Sequence, residues 1–308
     1  MELIRGAAQL PSRHGGCVVT IGTFDGLHLG HQALIARARE LAAQRREPAV
    51  LLTFEPMPRE YLTPADPPAR LTTLRERWRI LADAGVDYLW VLRFAEALRN
   101  LSAEDFAQLL VRRLRARAVV VGYDFRFARK GEATAAVLTA AGERLGFAVD
   151  VLPAVTLAGE RISSSGVRAA LACGDFARAG RWLGRPYSMR GRVIAGQRLG
   201  RDLGFPTANV ALGRRRAPVA GIFAVRVHGI AGAPRPGVAS LGTRPTVGGT
   251  EALLETHVFD FDEDLYGREI EVEFAAKLRD EQRFATLAAL TAQMEHDAAD
   301  ARRILESC

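Results

Sequence analysis

The spacing of apolar and polar positions changes near residue 185, and that change divides the chain of 308 residues. In the first part, unbroken apolar runs alternate with segments of helical period. Val18 to Ile21, Ala49 to Phe54, Tyr88 to Leu92, Ala118 to Val121 and Ala148 to Leu152 are continuous runs, the pattern of strands buried on both faces. Between them, Leu34, Ile35, Ala38 and Leu41 recur at helical spacing from a start near His31. A helix leads from Leu71-Thr72-Thr73-Leu74 through Ala84, where Gly85 is placed to end it. Ser102 is placed to cap a helix over Ala103 to Leu114, and Thr134 to Leu145 reads as a helix closed by Gly146. Strands alternating with helices predict an α/β domain with a parallel sheet, whose ligands bind beyond the carboxyl ends of the strands.

After Gly184-Arg185-Pro186 the alternation becomes short-period. Phe223, Val225 and Val227 share one face of Gly221 to Val227, and Ile270, Val272 and Phe274 point inward while Glu269, Glu271 and Glu273 point outward. This predicts an antiparallel sheet or small barrel with one wet side. The chain ends in a helix with Leu287, Leu290, Met294, Ala298, Ala301 and Leu305 on one stripe, expected to pack as core. Two domains are therefore expected, 1–185 and 186–308, each long enough to bury its own core.

Composition adds little to that division. Apolar residues make up 48% and charged residues 25%, an ordinary globular balance. No apolar run reaches membrane-spanning length, and Met1-Glu2-Leu3-Ile4-Arg5 lacks a signal-peptide layout. Cys17, Cys173 and Cys308 are odd in number and widely spaced. That pattern fits a reducing cytoplasm without structural disulfides or zinc. The net charge of +7 is carried almost wholly by arginine, Lys130 and Lys277 being the only lysines. The clusters Arg112-Arg113/Arg115/Arg117 and Arg214-Arg215-Arg216 lack interleaved aromatics that could stack on bases. Anionic small substrates are expected rather than nucleic acid.

The candidate chemistry begins at Gly22-Thr23-Phe24-Asp25-Gly26-Leu27-His28-Leu29-Gly30-His31. A strand, a glycine-bearing turn and a helix N-terminus together make an anion site, because free N–H groups and the positive end of the helix dipole point at what enters. His28 and His31, three apart at that mouth, can both face one anion. An HxxH pair can also bind a metal, but no acidic or cysteine partner lies nearby to complete a zinc site. No Gly-Lys-Ser/Thr occurs, so this is not a Walker A loop. The hydroxyls opening Ile162-Ser163-Ser164-Ser165-Gly166-Val167-Arg168 can be mere capping, or can hold an anion that Arg168, one turn on, would reach. In the second half, Gly191 to Val210 holds four glycines before Thr207 and Asn209. Backbone N–H groups of such a loop can wrap phosphates, and the two side chains offer neutral oxygens to Mg²⁺.

The first of these segments resembles the HxGH signature of the α/β-phosphodiesterase nucleotidyltransferases. The resemblance implies that His28 and His31 hold the phosphates of a nucleoside triphosphate, with Gly22, Phe24, Asp25 and Gly26 in the binding loop. By itself it points to adenylyl or cytidylyl transfer and is silent on the acceptor. The serine run is similar to the ISSTxxR-type motif of the same superfamily, which implies nucleotide contacts for Ser163, Ser164 and Arg168. LGFPTANV, SLGTRPTVGG, LETHVFDF, DLYGREIEVEF and LRDEQRF resemble the riboflavin kinase family. That implies Mg²⁺ and nucleotide phosphate at Thr207 and Asn209, phosphate contacts at Gly196 and Gly200, and Glu255 as catalytic base.

Taken together, the chain resembles the bifunctional bacterial riboflavin kinase/FMN adenylyltransferases, the prokaryotic FAD synthetases. The fold class implied is α/β, with an N-terminal Rossmann-like nucleotidyltransferase domain and a C-terminal antiparallel β-barrel kinase domain ending in a helix. The implied reactants are riboflavin, FMN, FAD, ATP and pyrophosphate, with Mg²⁺ as cofactor and a cytoplasmic location. Flavin contacts are implied at Asp124, Phe125 and Arg279, and no obligate protein partner, nucleic acid or membrane is inferred. Two departures stand out: Met57 occupies a position where the family usually has histidine, and Ala128-Arg129-Lys130-Gly131 replaces a slightly longer loop. Transferases for other acceptors, such as pantetheine phosphate or nicotinamide mononucleotide, lack the PTAN half.

Overall fold

The computed structural model describes residues 1–6, 9–196, 203–230, 232–246 and 249–306. They form two compact units, Met1–Pro68 with Leu74–Ser163, and Ala69–Thr73 with Ser164–Cys308.

In the first unit the chain runs β1 (Glu2–Arg5), β2 (Cys17–Ile21), α1 (Leu29–Arg45), β3 (Ala49–Glu55), α2 (Pro58–Leu62), α3 (Leu74–Asp83), β4 (Tyr88–Arg93), α4 (Glu96–Arg99), α5 (Ala103–Leu114) and β5 (Ala116–Gly122). A small hairpin follows, β6 (Arg126–Phe127) with β7 (Ala133–Thr134). Then come α6 (Ala135–Leu145), β8 (Ala148–Leu152) and a second hairpin, β9 (Thr156–Leu157) with β10 (Glu160–Arg161). Six strands form one parallel sheet in the order β1-β4-β3-β2-β5-β8. Strands β2 to β5 are covered on both faces, which is why they read as nearly continuous apolar runs. The edge strand β8 departs from that expectation, with Asp150 in its middle and none of its five residues buried. Val18, Val120 and Ala49 meet Ala38 and Ala42 of α1 on one face. Val19, Ile21, Val119 and Val121 meet Leu110 and Leu114 of α5 and Leu138 of α6 on the other. From β2 the chain moves first toward β3 and later to β5 on the opposite side, so the topological switch point lies at the carboxyl end of β2. The edge strand β1 was not expected, because four residues with one buried position carry too little periodicity to register.

The second unit holds α7 (Ser164–Ala172), α8 (Phe176–Leu183), β11 (Ser188–Ile194), β12 (Ala208–Ala211), β13 (Gly221–His228), β14 (Arg235–Thr246), β15 (Gly249–Val258), β16 (Glu269–Arg279) and α9 (Leu287–Glu306). The strands close a barrel in the order β11-β12-β15-β14-β13-β16, every pair antiparallel. Val225, Val227, Ile270, Val272, Phe223 and Phe274 are among its buried residues. The alternation over Glu269 to Phe274 appears as expected, with the glutamates half-buried. Helices α7 and α8, expected on the first-domain side of residue 186, group with the barrel. The physical tie is Phe176 of α8, stacked on Phe274 with centroids 5.8 Å apart and edge-on to Phe223 at 5.8 Å. Segment 69–73 groups here as well. Arg168 donates from Nε to the Ala69 carbonyl at 2.6 Å, and the buried Arg214 and the hydroxyl of Tyr187 both donate to the Leu71 carbonyl, each at 3.2 Å.

The terminal helix corrects one expectation. Of its stripe, Ala301 is buried against Ala224 and Phe259, with Ala298 and Leu305 packed beside them. Leu287 is 59% exposed, while Leu290 and Met294 line a cavity instead of the core. The stripe marks the right face, but the first half of that face covers a cavity and not the sheet.

Candidate active sites

At the carboxyl end of β2 the chain makes a tight loop before α1. Phe24, Gly26 and Leu27 all take left-handed backbone angles, with φ of 50°, 83° and 48°. For a non-glycine residue this costs about 1–2 kcal/mol, so Phe24 and Leu27 must be held there. Their side chains are buried among Ile35, Leu51, Leu81, Val86 and Leu89. Phe24, expected as a nucleotide-binding residue, thus places its ring in the core. Asp25 is buried as well, whereas Gly22 is part-exposed.

His28 is the N-cap of α1, its Nδ1 accepting from the backbone N–H of His31 at 3.3 Å. With Nδ1 an acceptor, the proton of the neutral ring sits on Nε2. The two imidazoles stack at 3.7 Å between centroids, and Phe24 lies 5.1 Å from His31. A Cβ at Gly30 would come within 3.1 Å of the His28 ring, so glycine there gives that ring its room. The His31 ring is part-exposed by area, yet its Nδ1 is enclosed and has no hydrogen-bond partner among the described residues. Burial, then the neighbouring His28 and Arg77, hold His31 well below the ordinary imidazole pKa. A neutral donor pair at a helix N-terminus, one enclosed nitrogen unmatched, fits an anionic ligand.

Sequence reasoning missed Arg77. It is fully buried on α3 and donates from Nη1 to the Thr23 carbonyl at 2.8 Å and to Thr53 Oγ1 at 3.2 Å; Nη2 pairs with Glu55 Oε2 at 3.0 Å. A signal was present, because Leu74, Arg77 and Leu81 fall at i, i+3 and i+7, placing an arginine on the apolar stripe of its helix.

In the second unit, a cavity of about 310 Å³ opens on the outer face of the barrel. Its polar wall follows from register. Asn209 on β12 lies opposite Glu255 on β15, and Glu255 lies opposite Ser240 on β14. Directly opposed residues project to the same side. Val210, Leu254 and Leu241, one position on along each strand, are buried inside the barrel. Asn209, Glu255 and Ser240 therefore stand in a row facing out, and Thr207 and His257 line the same cavity. Ser240 was not anticipated. Glu255 is exposed, so its place on an apolar-leaning face carries little desolvation. His257 Nδ1 donates to the Pro206 carbonyl at 2.8 Å and its ring meets Phe205 edge-on, fixing the turn that leads to Thr207. Gly196 lies against the Asn209 carboxamide, where an ideal Cβ would sit only 2.2 Å from Nδ2. Gly200 lies outside the described residues.

Phe284, Leu290 and Met294 add apolar lining to the cavity. Arg279 lines the same cavity. Its Nε and Nη2 fork onto Asp297 at 2.7–3.1 Å, with Gln293 completing the set at 3.0 Å and Nη1 donating to the Asp280 carbonyl. Among the described residues no three His, Cys, Asp or Glu side chains converge as a metal cage. The donor set that fits a hard cation is the pair of neutral oxygens on Thr207 and Asn209, with phosphate and water supplying the rest.

A family model described as FAD synthetase matches residues 10–166, and one described as riboflavin kinase matches residues 183–305. The bifunctional riboflavin kinase/FMN adenylyltransferase of Escherichia coli (strain K12) is 46% identical over 304 residues, covering 98% of this chain and 97% of that protein. The Pseudomonas fluorescens protein of the same name is 47% identical over 306 residues, covering 99% and 98%. The chain belongs to the bifunctional riboflavin kinase/FMN adenylyltransferase family. The crystal structure of a protein described as a macrolide-efflux protein, from Streptococcus pneumoniae, is 31% identical, covers 96% of this chain and 97% of its own, and has a TM-score of 0.79. Efflux is said there of the Streptococcus protein alone; no described helix of this chain is long and apolar enough to cross a membrane.

The remaining residues expected from the family sit as follows. Asp124 is exposed and ion-paired with Arg161, whose guanidinium also covers the Tyr123 ring at 5.2 Å. Phe125 is half-buried and stacked on Phe127 at 5.4 Å. Ser163 belongs to the first unit, Ser164 and Arg168 to the second. Where the family usually has histidine, Met57 is buried, and its backbone N–H donates to Glu60 Oε2 at 3.1 Å at the start of α2. In the departing loop, Ala128, Lys130 and Gly131 all have positive φ, folding it into a compact turn.

Proposed function

We propose that this chain makes FAD from riboflavin in two ATP-dependent steps, phosphorylation in residues 186–308 and adenylyl transfer in residues 1–185. The observation that carries the first step is the row Asn209–Glu255–Ser240 on one wall of the cavity. The riboflavin 5′-hydroxyl attacks the γ-phosphorus of ATP, ADP leaves, and the hydroxyl proton passes to Glu255. A primary alcohol is about as weak an acid as water, far weaker than glutamic acid, whose pKa is about 4.3. Prior deprotonation would cost on the order of 15 kcal/mol at about 1.36 kcal/mol per unit. Glu255 therefore orients the hydroxyl and takes its proton late, as bonding to phosphorus develops. Mg²⁺ at Asn209 Oδ1 and Thr207 Oγ1 would neutralise charge on the transferring group. Gly196 and Gly200 are assigned to the nucleotide phosphates, and Arg279 to the flavin.

In the second step the FMN phosphate attacks the α-phosphorus of ATP and pyrophosphate leaves. This nucleophile is already an anion and needs no base. His28 and His31 donate hydrogen bonds to the phosphates at the α1 N-terminus, where the dipole favours negative charge. The loop Gly22 to Gly26 supports them, Ser163, Ser164 and Arg168 are assigned to the nucleotide, and Asp124 and Phe125 to the flavin. The cytoplasm, where riboflavin and ATP meet, is the proposed location. Incubation of the protein with riboflavin, ATP and Mg²⁺, with flavins resolved by chromatography, tests the reading. FMN followed by FAD is expected; riboflavin left unchanged refutes the kinase step, and FMN without FAD refutes the transferase step.

A further inference from the structure

Arg77 is a charge taken wholly out of water, its side chain 1% exposed. A buried guanidinium is tolerated only where acceptors replace its hydration, and the acceptors here are informative. The Thr23 carbonyl receives two donors, Arg77 Nη1 at 2.8 Å and Thr53 Oγ1 at 3.2 Å. Thr23 lies two residues beyond the end of β2, immediately before the left-handed Phe24, Gly26 and Leu27 and the N-cap His28. Nη2 is fixed by Glu55 at the end of β3. One rigid fork thus ties α3, β3 and the root of the histidine loop together, a geometry a lysine ammonium cannot reproduce. The same helix supplies Leu81 to the cluster that buries Phe24 and Leu27. Polar and apolar contacts from α3 both act on the loop.

We infer that Arg77 is a positioning residue for adenylyl transfer, holding the Thr23 carbonyl so that the loop delivers His28 and His31 to the nucleotide phosphates. This rests on the transferase reading of the first unit given above. The positive charge of Arg77 also acts on His31, adding to burial in keeping that ring neutral.

The test compares Arg77→Met and Arg77→Lys with the wild type in the full chain, by amide hydrogen exchange and by kinetics. In Arg77→Met, exchange over residues 24–31 is expected to rise at least about tenfold, with β2, β5 and α5 unchanged. The kcat for FMN adenylylation should fall roughly 10²-fold, the scale for a misplacement of about 1 Å. The KM for FMN should stay within about threefold, and riboflavin phosphorylation by the same protein should be unaffected. Arg77→Lys, which keeps the charge and part of the donor set, should recover part of the kcat loss. Unchanged exchange over 24–31 overturns the proposal. So does a rise spread evenly over the first unit, which marks a role in the fold alone. A wild type that does not adenylylate FMN sinks the transferase reading, while the exchange pattern still decides what Arg77 holds.

Discussion

Adding one methyl group at Gly196 separates the kinase site from the fold that carries it. An ideal Cβ there would lie 2.2 Å from Asn209 Nδ2, 2.5 Å from Cγ and 2.7 Å from Oδ1. Unbonded heavy atoms settle near about 3.5 Å, so the carboxamide must move by roughly 1 Å. Asn209 has two side-chain torsions and borders the cavity, so it can swing without dragging β12 along. The stability change is expected at the low end of the about 1–3 kcal/mol range for overpacking. The Asn209 oxygen proposed above to hold Mg²⁺, however, leaves its place beside Glu255. A displacement of about 1 Å in a positioned group lowers turnover roughly 10²-fold, equivalent to about 2.7 kcal/mol at about 1.36 per decade. The assay is the initial rate of FMN formation from riboflavin, with FAD formation from added FMN as the control on the same protein. Gly196→Ala should lose the first and keep the second. Adding Asn209→Ala should cause little further loss, because both substitutions act on one group. A Gly196→Ala protein that phosphorylates riboflavin within about twofold of wild type would refute the placement of Asn209 in the site.

Two further outcomes follow from the packing and the charges. A fragment 164–308 should melt above a fragment 187–308, because the shorter one loses Phe176 from its stack on Phe274, and losing a buried phenylalanine costs about 3–5 kcal/mol. Equal melting temperatures would show that α7 and α8 contribute nothing to the barrel. His31 sets a pH dependence in the first unit: its proton affinity is depressed in the folded chain, while the unfolded chain titrates near about 6.5. Below that pH the unfolded state binds a proton that the folded state does not, so stability falls as pH falls and is flat above. The melting temperature of wild type should drop more between pH 7.5 and 5.5 than that of His31→Gln; parallel drops would contradict it.

Much of the molecule could be read from its residues, and the parts that could not share a cause. Strands β2 to β5 announce themselves because the interior of a parallel sheet covered on both faces demands nearly unbroken apolar runs. The cap at Ser102 is a local hydrogen bond, Asp105 N–H to Oγ at 3.0 Å, and local bonds are visible in local sequence. His28 and His31 stood out through motif spacing, and Thr207, Asn209 and Glu255 through the resemblance to the riboflavin kinase family. Ser240 did not, since its place depends on the register of β14 with β15, which no spacing within one strand encodes. Arg77 was missed because its partners, Thr23, Thr53 and Glu55, come from two distant strand ends. The first half of the α9 stripe looked like core because a helix face lining a ligand cavity has the same apolar pattern as one packed on a sheet.

The division of labour between two separate sites in one chain is tested most directly by complementation. Glu255→Gln and His28→Ala/His31→Ala proteins are each given riboflavin, ATP and Mg²⁺, alone and mixed, and the flavins are resolved. Alone, the first should leave riboflavin nearly unchanged, with phosphorylation lowered roughly 10²–10⁴-fold, and the second should stop at FMN. Mixed, they should yield FAD. FAD from riboflavin at near wild-type rate by either variant alone would contradict the assignment.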